Sequence, residues 1–222
     1  KPAELKQALP FEAQRYLPFS IDEVVLDGTP VGVSENNKSW VLIVACKKEL
    51  LERKIDWVKR AGLTPALVDV DALALANAFL VGGRDGSAEQ EKGRRALINV
   101  GAQLSNLVVF RGEAPYLVRD IPWGSDKMVR HMAEQLGMAA EDISQELAQG
   151  RIRPETQNAL RLTCEGLVTE LQLSFDYFEN RFGQPPETLL VSGGLSQSSA
   201  FVEALGSHLA QGVSSWSPID GL

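Results

Sequence analysis

The sequence is poor in the residues that build metal centres, disulfide frameworks and nucleic-acid surfaces. Only two cysteines and two histidines occur among its 222 residues. Cys46 and Cys164 both stand in apolar surroundings without the spacing of metal ligands, which predicts two buried free thiols in a reducing compartment. The formal net charge is −7 and the basic residues are spread along the chain, so we expect no nucleic-acid partner.

Long apolar runs are also missing. The longest run, from Trp40 to Cys46, has the length of a strand, whereas a membrane-spanning helix needs about 20 apolar residues. We therefore expect no direct membrane insertion and a cytoplasmic location. The chain begins at Lys1 without a secretory signal and directly in a helix-like segment, which suggests a fragment of a longer protein.

The first part of the chain predicts a small α/β unit. Apolar residues at helical spacing indicate a helix over residues 3–17, which stops before Pro18. Two strands rich in β-branched residues follow at 24–33 and 40–46, with a polar turn at 34–38 between them. A second helix runs from Lys48 to the terminating Gly62.

The rest of the chain begins at Pro65 with a predicted strand at 66–69, which leads into a helix capped by Asp71 and ending at Leu80. Residues 82–95 are rich in glycine and charge without apolar periodicity, which indicates a hinge between lobes. Beyond this hinge we predict strands at 96–100, 104–110 and 116–121, helices at 126–136, at 139–149 and from Pro154 onward, a strand at 188–191, a glycine turn at 192–194, and a helix at 198–211.

Two glycine loops are the candidate ligand sites. Gly101 follows Asn99 and opens the first hairpin of the three-strand meander, and Gly193 and Gly194 stand between a strand and a helix. Each loop alone is explained by an ordinary turn. Their order along the chain, with a long helix between them, favours a ligand cleft, because glycine lets a backbone approach a ligand and a helix N-terminus offers free N–H groups. No paired acids stand at a recognisable spacing, so we assign no catalytic or metal-binding residue.

That order resembles the nucleotide lobe of the actin, Hsp70 and hexokinase superfamily. Four stretches are similar to the PilM family of type IV pilus assembly proteins, relatives of the cell-division protein FtsA: FEAQRYLPFSIDEVVLD from Phe11, VLIVACKKELLERKIDWVKRAGLTPALVDVDALALANAF from Val41, ALINVGAQLSNLVVFRGEAPYLVRDIPWG from Ala96, and LLVSGGLS from Leu189. The resemblance implies an α/β, actin-like fold with two lobes, mixed sheets and flanking helices, the first lobe being incomplete. Residues 1–64 match the extra subdomain of FtsA, 65–93 part of the first actin-like subdomain and the hinge, and 94–222 the second lobe.

The resemblance also implies a site for ATP and Mg²⁺. It places Asn99, Gly101, Gln103 and Ser105 near the phosphates, Glu165 near the ribose, and Gly193, Gly194 and Leu195 near the adenosine. Family members usually begin with a strand that carries an Asp-Ile-Gly phosphate hairpin, which has no counterpart before Lys1.

The second phosphate hairpin of the family usually carries an Asp where this chain has Asn99. An amide brings no charge, whereas Mg²⁺ is held through carboxylates and waters. We therefore expect nucleotide binding to be degenerate or weak.

The resemblance implies a cytoplasmic scaffold in the type IV pilus machine, peripheral to the inner membrane. Its partners would be other pilus platform proteins and the N-terminal tail of a PilN-like bitopic membrane protein. The tail would dock in a groove between the extra subdomain and the first actin-like subdomain, which residues 3–16 and 68–79 would line or support.

Two alternative functions stay open. The first is the cytoplasmic domain of a GspL-like type II secretion platform protein, which needs no nucleotide. The second is an ATP-dependent enzyme of the same superfamily, such as a sugar or acetate kinase. This enzyme would need an acidic catalytic residue and an intact first hairpin.

Overall fold

The computed structural model describes residues 2–33, 39–82 and 93–219. The chain divides into two compact units, residues 1–69 (unit 1) and 70–222 (unit 2). The predicted turn at 34–38 and residues 83–92 of the predicted hinge lie outside the described residues. The three-part division into 1–64, 65–93 and 94–222 stays a prediction.

Unit 1 contains the helices and strands predicted for the first part of the chain. They are α1 (Pro2–Ala13), a 3-10 turn (Ile21–Glu23), β1 (Val24–Val33), β2 (Ser39–Lys47) and α2 (Lys48–Arg60), and the two strands pair antiparallel. Helix α1 ends four residues before the predicted end at Leu17. The reason is that its last hydrogen bonds tighten, since the Tyr16 amide donates to the Ala13 carbonyl, three residues back.

Unit 1 buries few side chains. Among its described residues, the buried apolar ones are Leu9, Ala13 and Val24. Helix α2 has no buried residue, and Trp57 is exposed. Cys46 is only half-buried, so the prediction of buried thiols is wrong for this residue. Unit 1 therefore presents several large apolar side chains to solvent.

Unit 2 is a five-stranded mixed sheet with helices on both faces. Its strands lie in the order β5-β4-β3-β6-β7, and only the β3–β6 and β6–β7 pairs are parallel. The strands are β3 (Arg94–Val100), β4 (Ser105–Arg111), β5 (Ala114–Ile121), β6 (Thr188–Gly193) and β7 (Gly212–Ser215). The helices are α3 (Asp71–Gly82), α4 (Ser125–Leu136), α5 (Ala140–Gln149), α6 (Pro154–Phe182) and α7 (Ser199–Gly206).

The central strand β3 is buried on both faces of the sheet. On one face Leu97 packs in a cluster with Phe79 of α3 and Phe110 of β4. On the other face Ile98 belongs to the main core, to which α6 contributes side chains at the predicted helical spacing, namely Leu160, Cys164, Leu167, Val168, Leu171, Phe175 and Phe178. Burial raises the pKa of the Cys164 thiol to about 12, so this thiol stays protonated at neutral pH.

Three predicted elements differ from the structure. Residues 66–69 form no strand, and no strand of the described ranges pairs with them. Asp71 is the first residue of α3 and not its cap. The helix predicted at 198–211 ends at Gly206, and strand β7 follows it. Sequence reasoning missed β7 because its short GVSS segment has only one apolar side chain.

We predict that Leu167→Ala destabilises the protein by about 2–5 kcal/mol, because it leaves a cavity under the middle of α6. Leu162→Ala on the same helix is the matched control. The Leu162 side chain is exposed, so this substitution should change the free energy of unfolding by no more than about 0.5 kcal/mol. Urea unfolding at constant m-value measures both changes, and similar losses in the two variants would contradict the packing described for α6.

Candidate functional site

The two glycine loops lie side by side in unit 2. Strands β3 and β6 are parallel neighbours, and Val100 stands opposite Gly193 in their register. Because carboxyl ends of parallel strands share one edge of a sheet, the loops that follow them share that edge too. The two glycine loops therefore leave the sheet at the same edge.

Gly193 allows the closest approach between these two strands. A Cβ atom there would collide with the Val100 carbonyl oxygen. Its backbone has φ 94° and ψ −179°, a conformation that is essentially restricted to glycine. Gly193 is therefore required by the sheet itself, independently of any ligand.

The hairpin loop after β3 is fixed to the start of α4. The Gly101 amide donates to the Leu104 carbonyl at 3.1 Å, which closes the turn. The amides of Ser125 and Asp126 donate to the carbonyls of Gly101 and Ala102 at 3.0 and 2.9 Å. These two N–H groups of the first turn of α4 are thus engaged by protein and are not available to a phosphate.

The polar residues predicted near the phosphates occupy different environments. Ser105 is completely buried, and its hydroxyl donates to the Trp123 carbonyl at 2.8 Å. Asn99 is half-buried within β3, whereas Gln103 is exposed. In this group, Gln103 alone lines one of the two cavities described next.

Two adjoining cavities lie beside the loops. The larger, of about 640 Å³, is lined by Gln103 and by side chains of α4 and α5, including Asp126, Arg130 and Glu141. The smaller, of about 220 Å³, is lined by Gly194, Leu195 and Ser198 and by polar and apolar side chains of the same two helices, namely Ser125, Asp126, Val129, Ser144, Leu147 and Ala148. Because Asp126, Val129 and Ser144 border both cavities, the two cavities form one cleft, and its larger cavity carries more charged side chains than its smaller cavity.

Ser198 is the residue of this cleft that sequence reasoning missed. It lines the smaller cavity and is only 2% exposed, yet its hydroxyl has no hydrogen-bond partner. A buried polar group without a partner costs about 1–3 kcal/mol. A ligand with a hydrogen-bonding group in the smaller cavity would remove that cost. The serine precedes α7, and no pattern in the sequence marks it.

The remaining predicted contacts are the adenosine and ribose residues. Gly194 and Leu195 line the smaller cavity, and Gly193 lies behind them against β3. Glu165 is exposed on α6 and does not belong to the lining of either cavity. The cleft thus contains Gln103, Gly194 and Leu195 of the predicted set, while the assignment of all eight residues stays a prediction.

The charges of the cleft suit an uncharged ligand group better than a phosphate chain. Its larger cavity carries two carboxylates and one guanidinium, from Asp126, Glu141 and Arg130. Within the described part of the chain, no three His, Cys, Asp or Glu side chains are grouped so that they could hold a metal ion. Leu147, Ala148 and Leu195 offer apolar contacts to an adenosine-like group in the smaller cavity, whereas the cleft offers weak support for Mg²⁺.

We predict that Gly193→Ala lowers stability much more than Gly150→Ala. Both glycines have positive φ, but a Cβ atom at Gly150 would meet no atom within 4 Å, so alanine there should cost only about 1–2 kcal/mol. Alanine at Gly193 would have the same backbone strain and would in addition collide with the β3 backbone. It should therefore lower the free energy of unfolding by at least about 3 kcal/mol. Urea unfolding measures both, and equal losses would contradict the close approach of β3 and β6.

Comparisons with known proteins agree with this geometry. A solved structure described as a PilM-PilN type IV pilus biogenesis complex matches with a TM-score of 0.79 and 25% identity. The match covers 99% of this chain and 64% of the other, so the chain spans less than two thirds of the protein that it matches. MreB 5 of Spiroplasma citri bound to AMPPNP matches with a TM-score of 0.52 and 12% identity, over 87% of this chain and 62% of the other. These matches show an actin-like fold.

The family comparison gives the same result over almost the whole chain. The family model described as type IV pilus assembly protein PilM matches residues 1–220. The four stretches that resembled this family in sequence all lie inside the matched range. The chain therefore belongs to the PilM family of type IV pilus assembly proteins.

Proposed function

We propose that this protein is a cytoplasmic scaffold of the type IV pilus assembly platform that binds the N-terminal tail of a PilN-like membrane protein. The observation that carries the proposal is the similarity to a structure described as a PilM-PilN complex, at 25% identity over 99% of this chain. Among the described residues no helix is long and apolar enough to cross a bilayer. The tail of the partner would hold the protein at the inner membrane.

Residues 66–69 of unit 1 are the proposed docking segment for the tail. No strand of the described ranges pairs with this segment, and Leu67 and Val68 are 83% and 58% exposed. Extended peptides bind to such segments through main-chain hydrogen bonds, with pockets or apolar contacts for alternate side chains. A tail that lies along this segment would cover both apolar side chains.

Calorimetric titration with a synthetic PilN-like tail peptide tests this proposal. We expect binding by the unaltered chain and at least about tenfold weaker binding by Leu67→Asp, because a carboxylate would replace an apolar contact. Leu173→Asp is the matched control, since Leu173 is exposed on α6 of unit 2. Equal weakening in both variants would contradict the docking segment, and absence of binding by the unaltered chain would contradict the scaffold role.

We propose in addition that the cleft of unit 2 binds ATP weakly and mainly through the adenosine. Gly194, Leu195 and the unpartnered Ser198 hydroxyl line the smaller cavity, where a base and ribose would be packed. Gln103 and Arg130 line the larger cavity, where the phosphates would lie, and the carboxylates of Asp126 and Glu141 in the same cavity would weaken phosphate binding. Asn99 supplies no carboxylate for Mg²⁺, and a neutral hydrogen bond is about half as strong as a charge-assisted one.

A fluorescent ATP analogue tests the nucleotide proposal. We expect the unaltered chain to bind the analogue weakly. Gly194→Trp should abolish this binding, because the indole would fill the smaller cavity. Ser198→Ala should weaken it about fivefold through the loss of one hydrogen bond. Glu179→Trp, on the exposed face of α6, is the control and should bind normally. Binding that survives Gly194→Trp would exclude this cleft. ATP hydrolysis that is lost on Gly194→Trp would favour the enzyme alternative.

A further inference from the structure

Helix α2 carries an apolar stripe that unit 1 does not cover. Leu50 and Trp57 stand seven residues apart, on one side of the helix, and are 49% and 61% exposed. The side of α2 that contacts β2 is a different one, formed by the half-buried Leu51 and Ile55. Leu50 and Trp57, here called the α2 stripe, therefore leave about half or more of their side-chain surface exposed.

Cations flank the α2 stripe on both sides. At about 100° per residue, Lys54 lies on one side of the stripe, and Arg53 and Arg60 lie on the other. The three acidic residues of the helix, Glu49, Glu52 and Asp56, lie farther round, away from the stripe. Helix α2 has five basic and three acidic residues in a chain whose net charge is −7, so its positive charge is a local feature.

The two arginines remain available to an external anion. Arg53 pairs with Glu49 at 2.8 Å and Arg60 with Asp56 at 2.7 Å, but all four side chains are more than half exposed. Exposed pairs of this kind contribute about 0–1 kcal/mol. A phosphate, which guanidinium binds through two parallel hydrogen bonds, can replace such a carboxylate at little cost.

We propose that the α2 stripe binds the surface of an anionic lipid bilayer. Trp57 and Leu50 would enter the boundary between headgroups and acyl chains, and Arg53, Lys54 and Arg60 would contact lipid phosphates. Tryptophan favours this interface, and a helix with an apolar stripe between rows of cations lies in its plane without crossing the bilayer. An acidic protein would account for the cations, but not for an exposed tryptophan and leucine placed between them.

Vesicle flotation of the 222-residue chain tests this proposal without PilN or nucleotide. We expect binding to vesicles of phosphatidylcholine with 30% phosphatidylglycerol (roughly one anionic lipid in three), and much weaker binding to pure phosphatidylcholine. Binding should fall as salt rises, because the Debye length shortens. Lys54→Gln should weaken binding about fivefold, the value of one surface cation, and Trp57→Ala should weaken it at least as much.

Matched controls separate the stripe from general surface effects. Tyr177→Ala and Lys127→Gln alter exposed residues of α6 and α4 and should leave vesicle binding unchanged. Unfolding midpoints should be similar in all four variants, because each altered side chain is exposed. Equal losses in the variants and their controls, or equal binding to neutral and anionic vesicles, would overturn the proposal.

An acidic protein or a second copy of this chain, bound at the α2 stripe in place of lipid, would give different results. Binding to polyglutamate without vesicles, at the same strength as to anionic vesicles, would identify an acidic protein as the partner and overturn the lipid proposal. Self-association of the chain that Trp57→Ala removes, in the absence of vesicle binding, would identify a second copy and also overturn it. Neither result would bear on tail binding at Leu67.

Discussion

The parallel pairing of β3 with β6 is the constraint on which the candidate cleft depends. The two strands approach so closely at Val100 and Gly193 that no side chain fits between them, and both glycine loops leave the sheet at that point. The first loop then fixes the start of α4 through the amides of Ser125 and Asp126. Because α4 lines both cavities, the position of the cleft follows from one strand pair and one anchored loop. A substitution that shifted β6 would therefore displace the cleft.

The same anchoring leaves the hairpin few free polar groups for a phosphate chain. In a phosphate hairpin the loop and the nearby helix start direct free N–H and hydroxyl groups to the ligand. Here the α4 amides bind the Gly101 and Ala102 carbonyls, and the Ser105 hydroxyl binds the Trp123 carbonyl. The unpartnered donor lies instead at the other end of the cleft, at Ser198. The hairpin amides and the Ser105 hydroxyl therefore hold the structure together, and the Ser198 hydroxyl is a polar group of the cleft that is left without a protein partner.

Local signals in the sequence predicted most of unit 2. Helical spacing identified α6, and the left-handed glycines Gly137 and Gly150 marked the ends of α4 and α5. Sequence reasoning failed where tertiary pairing decides the outcome, since a strand needs a partner. Residues 66–69 have strand-like composition but belong to neither sheet of the described ranges, whereas the polar β7 pairs with β6. The cleft was only partly predictable, because Gln103, Ser144 and Ser198 come together from separate elements and share no sequence pattern.

The two units differ in how they use apolar residues, and this difference bears on function. Unit 2 buries almost all of the described core, whereas unit 1 has a two-stranded sheet, few buried side chains and exposed Leu67, Val68 and Trp57. A two-stranded sheet with so small a core is marginally stable by itself. A partner that covers these side chains in the folded form alone would stabilise unit 1 by mass action. Binding and folding of unit 1 would then be linked.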